Sequence, residues 1–206
     1  MPELISDMTS NFLSRPIDVS KYGLIYAGSQ KNYGPPGLTI VIVKNKLLAE
    51  TSEMPGLPSQ LSYRHILKSQ AERHTVPPTF ALLFTYEFLK YMKDMGGLKA
   101  IDKIARAKSQ KLYNVMNESN GFYKSTVDEE FRSRMNVPFL ILNDDKELTK
   151  KFLKESGEQG LLQLKGHKSV GGLRASVYNG MPMEGVDRLC QFMRDFQKRY
   201  HMKPKL

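Results

Sequence analysis

Apolar and polar positions along the chain fall into blocks of two periods, and these blocks predict short strands followed by amphipathic helices. Leu4-Ile5-Ser6-Asp7 reads as the end of a short buried strand. Leu24-Ile25-Tyr26-Ala27 and the run from Leu38 to Val43 are β-rich and apolar, and the turn between them is dense in Gly, Asn and Pro, the pattern of strands joined by a tight loop. Lys31 stands at the tip of that loop. Residues Thr51 to Ser59, with Pro55, Gly56 and Pro58, predict a loop, and the stretch from Leu61 to Arg73 follows no clear period. From Phe80 to Met95 the residues Phe80, Leu83, Phe84, Phe88, Tyr91, Met92 and Met95 recur at helical spacing, which predicts a helix packed on a core. Gly96-Gly97 stops that helix, a second runs from about Leu98 toward Asn117, and a domain boundary is placed here, giving units 1–95 and 96–206.

The second unit alternates strands with helices. Strands are expected at Phe122-Tyr123 and from Asn136 to Leu142, then a helix from Lys146 to Ser156. A strand pair around Leu161–Leu164 and Gly172–Tyr178 and a closing helix from about Glu184 complete a small α/β domain.

At 206 residues and 40% hydrophobic content, the chain can bury a core in one or two domains. No run approaches the roughly 20 apolar residues that span a bilayer, and the start lacks a signal-peptide pattern, so a cytoplasmic protein without membrane contact is expected. The single Cys190 excludes an internal disulfide and suits a reducing compartment. The formal charge of +10 is scattered, with one concentration at Lys198–Lys205, which reads as solvated surface and not as a nucleic-acid footprint. A positive field also attracts small dianions.

Five positions bear on chemistry. A lysine between strands buried on both faces lies near low-dielectric protein, which disfavours its ammonium form and frees the amine as a nucleophile; the alternative is that Lys31 tops a hairpin in solvent. Asp7 ends a strand, at the edge where open α/β sheets bind ligands, or is a turn residue. Arg174 suits a carboxylate, through two parallel hydrogen bonds, or a surface ion pair. His167 and Lys168 offer donors to a phosphate or carboxylate, or form an ordinary loop. His74 has no carboxylate or thiol at useful spacing, so no metal site is predicted.

Three longer blocks add to this reading. They are Ala27-Gly28-Ser29-Gln30-Lys31-Asn32 with Gly34 and Gly37-Leu38-Thr39, the segment Ser6 to Val19 containing Ser14-Arg15-Pro16, and Lys165-Gly166-His167-Lys168-Ser169-Val170-Gly171-Gly172-Leu173-Arg174-Ala175-Ser176-Val177-Tyr178-Asn179. In this order they resemble the phosphoserine aminotransferase family, of the class V branch of pyridoxal-phosphate enzymes. The resemblance implies an α/β chain of fold type I, with part of the large domain and its mixed sheet, then the small C-terminal domain. It implies pyridoxal 5'-phosphate held covalently on Lys31, Asp7 on the pyridine nitrogen, and Gln30 on the cofactor phosphate. Aligned on Pro77-Pro78, Thr75 stands for an asparagine and Val76 for a threonine that clamp the cofactor phosphate across a homodimer, unless one residue is inserted and Thr75 is that threonine. Arg174, His167 and Lys168 would bind substrate; the family usually has His-Arg where this chain has His-Lys, and lysine lacks the guanidinium fork.

The implied reaction moves an amino group from glutamate, giving 2-oxoglutarate, to 3-phosphohydroxypyruvate, giving phosphoserine, in serine biosynthesis. The chain matches only the C-terminal half or so of the family: the Gly-rich phosphate turn, the stacking tryptophan, a threonine near the ring hydroxyl and a His-Arg pair are absent. A truncated product, an internal start or a partner chain would fit. The alternative is a non-catalytic fragment that binds or dimerises with full-length enzyme. Cysteine desulfurase, of the same superfamily, needs a thiol on a mobile loop, whereas Cys190 sits in a helical pattern.

Overall fold

The computed structural model describes residues 2–50, 54–69, 76–168 and 170–201. The chain divides into two compact units, one of residues 1–12 and 16–94 and the other of residues 13–15 and 95–206. Each folds around its own three-stranded sheet.

In the first unit, β1 (Ile5–Asp7) pairs in parallel with β2 (Leu24–Gly28), which pairs antiparallel with β3 (Thr39–Val43). The registers place Asp7 beside Tyr26 and Gly28 beside Thr39. Alternation along β2 buries Ile25 and Ala27 and leaves Tyr26 outward. Ile5, Tyr26 and Val41 are all exposed, so the sheet is covered on one face only and the expectation of strands buried on both faces does not hold. Between β2 and β3 the loop winds into a single helical turn, α1 (Ser29–Asn32). Asn32 and Tyr33 are buried under it, and Tyr33 meets Phe12 edge to face at 5.5 Å.

Two short helices that the hydrophobic pattern did not announce follow, α2 (Asn45–Glu50) and α3 (Tyr63–Ser69). Arg64 of α3 donates to the carbonyls of Leu48 and Ala49, which satisfies the end of α2 with a side chain distant in sequence.

The helix α4 (Thr79–Asp94) forms where its period predicts, but of the face expected to pack only Met92 is buried and Phe88 half-buried. Its buried residues are Ala81, Thr85 and Met92, while Phe80 is 74% exposed, Leu83 60%, Phe84 50% and Tyr91 52%. The reason is steric: the side of α4 that meets the unit carries Ala81 and Thr85, with Thr85 tight against Gly34, and the wide aromatic side is left on the surface.

Gly96 and Gly97, at φ 103° and 68°, take the left-handed backbone that ends α4 and starts α5 (Gly97–Asn117). The second sheet is antiparallel in the order β4 (Tyr123–Ser125), β5 (Asn136–Ile141), β6 (Leu173–Ser176). Along β5, Val137, Phe139 and Ile141 alternate into the core. They meet Phe152 of α6 (Lys146–Glu158) and Leu189, Phe192, Met193 and Phe196 of α7 (Met183–His201). Asp145 caps α6, accepting from Glu147 N and Leu148 N at 2.9 Å each. The expected strand at Leu161–Leu164 does not form. Gln163 takes a positive φ of 60°, and only an isolated bridge between Lys165 and Leu173 reaches β6. Cys190 belongs to the core face of α7, and burial pushes its thiol up to about 11, which makes it a packing residue and not a nucleophile.

Candidate functional site

The parallel pairing of β1 with β2 brings their carboxyl ends together, and with them Asp7 and Lys31. Asp7 closes β1, and its Oδ1 accepts the Thr9 N–H at 2.8 Å. This is an Asx turn, in which a carboxylate satisfies the backbone two residues on. The Thr9 hydroxyl and then its N–H hold the Asp7 carboxyl below the usual carboxylate range; the Tyr26 phenol and the Lys31 ammonium act in the same sense, against partial burial. Tyr26 responds in turn, its phenol raised by the Asp7 charge.

Lys31 is carried by α1 and is exposed, so the desolvation expected from flanking strands is not found. Its Nζ instead donates to Ser10 Oγ at 3.0 Å, three positions after Asp7. Gly28 N donates to Thr9 Oγ1 at 3.2 Å, which ties the end of β2 to the same turn. Gln30 is exposed beside Lys31, with its amide folded over Gly28. The first unit therefore gathers Asp7, Gln30 and Lys31 around one turn. Thr9 contacts Asp7 and Ser10 contacts Lys31 directly, and both were missed in the sequence, where their hydroxyls read as ordinary turn residues. Thr75 and His74 lie outside the described residues.

His167, Lys168 and Arg174 all belong to the second unit. The first two are exposed on the loop entering β6, where Val170 N and Gly171 N both return to the His167 carbonyl. Gly166 makes this loop sterically feasible: a Cβ there would lie 1.9 Å from the Gly171 carbonyl oxygen. Arg174 is on β6, with its N–H on the Leu164 carbonyl at 2.8 Å. Its side chain lines a cleft of about 430 Å³ walled by Leu161, Leu162, Met181 and Leu189, with Lys165 and Arg188 as further cations. The Arg174 Nε is buried there without an acceptor. His167 and Lys168 are not among the residues that line this cleft. Lys165 and Arg188 were not anticipated: Lys165 comes beside Arg174 through its bridge to Leu173, and Arg188 is brought to the cleft by α7.

Among the described residues, no group of three or more His, Cys, Asp or Glu is arranged to hold a metal, and no helix is long and apolar enough to cross a membrane.

A lysine and a carboxylate thus share the carboxyl edge of a mixed sheet, next in sequence to a small α/β unit. The family model for class-V aminotransferases matches residues 4–189, and the chain belongs to that family. Over 197 residues it is 48% identical to a phosphoserine aminotransferase of Laribacter hongkongensis, covering 96% of this chain and 54% of that protein. The solved phosphoserine aminotransferase from Bacillus circulans subsp. alkalophilus superposes with a TM-score of 0.89 at 43% identity, over 96% of this chain and 53% of the other. A pyridoxal-phosphate-bound phosphoserine aminotransferase from Trichomonas vaginalis gives 0.86 at 42% identity, over 93% and 53%. The fold is thus fold type I of the pyridoxal-phosphate enzymes, present in part. The chain spans about half the length of the curated relatives it matches.

Proposed function

We propose that this chain carries the lysine-bearing part of a phosphoserine aminotransferase, exchanging amino groups between glutamate and 3-phosphohydroxypyruvate, with 2-oxoglutarate and phosphoserine as the other pair, in serine biosynthesis. The observation that carries the reading is the cluster of Asp7, Thr9, Ser10 and Lys31 in one turn of the first unit. It fits pyridoxal 5'-phosphate by the chemistry of its donors. Asp7, its carboxyl held below the usual range, would keep a proton on the pyridine nitrogen; Lys31 would hold the cofactor through its primary amine; Gln30 would donate an amide N–H toward the phosphate. When bound, the protonated ring acts as the electron sink that stabilises negative charge at the substrate α-carbon. The Lys31 amine would serve as the general base and acid that takes a proton from the substrate α-carbon and gives it back.

Arg174 receives the α-carboxylate common to glutamate and phosphoserine, and its orphaned Nε is the donor that a carboxylate would satisfy. His167 and Lys168 are assigned to the substrate's distal phosphate or carboxylate. Thr75 is assigned to the cofactor phosphate of a partner subunit in a homodimer. A cytoplasmic location accords with the single, buried cysteine.

A second reading, a non-catalytic fragment that binds or dimerises with full-length enzyme, is favoured by the exposed Phe80, Leu83 and Phe84 of α4. Titration with pyridoxal phosphate separates the two. A visible absorbance band that disappears in Lys31→Ala supports the first; no Lys31-dependent band supports the second.

A further inference from the structure

We propose that Thr9 is a positioning residue that bridges Asp7 to Gly28, its N–H donating to the carboxylate and its hydroxyl receiving the Gly28 N–H, and so fixes the carboxylate relative to the helical turn that presents Lys31. The Asx turn at Asp7 requires only the Thr9 N–H, which Asp7 Oδ1 accepts at 2.8 Å. The hydroxyl is surplus to that turn, and it does something else. A threonine hydroxyl has one proton to give and two lone pairs to receive. Here it receives the Gly28 N–H at 3.2 Å, and its nearness to Asp7 acts with the Thr9 N–H to hold that carboxyl below the usual range.

Gly28 is the N-cap of α1, extended at φ −79° and ψ 142°, with no side-chain cap of its own. The next residue, Ser29, is tied to the Leu38 carbonyl through N at 3.0 Å and Oγ at 3.2 Å. The start of α1 is thereby fixed to the residue before β3 on one side and, through Thr9, to the Asp7 turn on the other. Lys31 follows three residues later and reaches Ser10 of the same turn. Without the hydroxyl, the Gly28 N–H loses its acceptor and the start of α1 is held to the turn only from its far side, by Lys31 and Asn32.

The catalytic meaning of this bridge rests on the assignment of Asp7 and Lys31 to the cofactor, but the bridge itself can be tested in the chain alone. Thr9→Val keeps the N–H and the branch while deleting the hydroxyl; Thr9→Ala deletes it without adding a methyl on the Gly28 side; Thr9→Ser restores it. In the full chain, the Asp7 carboxyl is titrated by 13C NMR and the Gly28 amide followed by hydrogen exchange. In both Val and Ala variants the Asp7 midpoint should rise toward the ordinary carboxylate range and Gly28 exchange should quicken about tenfold, with Ser returning both toward wild type. Unchanged titration and exchange in either variant overturn the proposal. With pyridoxal phosphate present, the pH midpoint of the Lys31-dependent band should move with Asp7. A moved Asp7 beside an unmoved band midpoint reduces Thr9 to a structural contact and also overturns it. Absence of any Lys31-dependent band in wild type defeats the proposed function and leaves the bridge to be decided by the cofactor-free measurements.

Discussion

Lys31 Nζ lies 3.0 Å from Ser10 Oγ, a contact spanning 21 positions of sequence. Because Ser10 stands in the turn that Asp7 opens, this one hydrogen bond holds the amine near the acid. Ser10→Ala should leave stability within about 0.5 kcal/mol, since Lys31 is exposed and Ser10 is not core. It should still lower the share of pyridoxal-phosphate labelling found at Lys31 several-fold. Borohydride trapping and peptide mapping measure that share against the other lysines; equal labelling of Lys31 in both proteins would show that Ser10 does not guide it.

Phe80, Leu83 and Phe84 stand exposed within about one turn of α4 and offer an apolar surface on that face. Concentration-dependent association through this face is expected. Replacing the three by Phe80→Glu, Leu83→Lys and Phe84→Glu should shift sedimentation toward the monomer while the helical circular dichroism persists, because Ala81, Thr85 and Met92 make the packing contacts. Retained association in the triple variant locates the interface elsewhere.

The same helix shows where the sequence was legible and where it was not. Its period of 3.6 residues predicted the helix correctly, since periodicity reports that a face is apolar. Periodicity cannot report which neighbour covers that face, and the small residues Ala81 and Thr85 took the interior because they permit close approach to Gly34 and Gly37. Asp7 and Lys31 were visible as residue types at strand ends, and their proximity follows from the parallel register of β1 with β2. The exposure of Lys31 and the contacts of Thr9 and Ser10 were not visible. They depend on α1 replacing a plain loop, and on hydrogen bonds between segments about twenty residues apart. In the second unit the β5 alternation could be read from Val137, Phe139 and Ile141, whereas the failure of Leu161–Leu164 to pair turns on the single positive φ of Gln163.

Lys168 is exposed on the loop before β6, and a lysine meets a phosphate as a point charge, without the parallel donors of a guanidinium. Lys168→Arg should tighten binding of inorganic phosphate by roughly threefold, a gain of this size being what a second parallel donor adds at an exposed site. Isothermal titration gives the comparison. No gain would argue that residue 168 does not touch the anion.

Phe152 is the centre of the second core, with rings of Tyr123, Phe139, Phe192 and Phe196 around it at 4.9 to 6.2 Å. Truncation to alanine removes all four contacts and leaves a cavity that close-packed neighbours cannot refill. A cost of about 3–5 kcal/mol is expected for Phe152→Ala in chemical denaturation of the second unit. A loss under about 1 kcal/mol would mean that α6 collapses onto β5 far more freely than a core of interlocked rings allows.

Lys108 is 1% exposed in α5, and its Nζ donates to the carbonyls of Tyr178 at 2.7 Å and Met181 at 3.0 Å, fastening the turn between β6 and α7. Burial lowers its ammonium from 10.5 to about 8. The charged groups on neighbouring elements do not offset this: Asp187 of α7 pairs with Lys111, and Asp102 with Arg106 and Arg134. Since the folded chain releases this proton before the unfolded chain does, the unfolded state binds more protons above about pH 8, and stability from this group rises with pH. The rise should be roughly 1 kcal/mol between pH 8 and 9, measured as wild type minus Lys108→Met. The subtraction matters because Cys190, pushed up to about 11, contributes the opposite slope above its ordinary value of 9, and does so equally in both proteins. A neutral amine still has two N–H bonds for the two carbonyls, so the turn should remain intact in wild type across this range, whereas Lys108→Met should lose amide protection at Met181 at every pH. A difference in stability that stays flat from pH 7 to 9 would show that Lys108 is solvated in solution, contrary to its burial here.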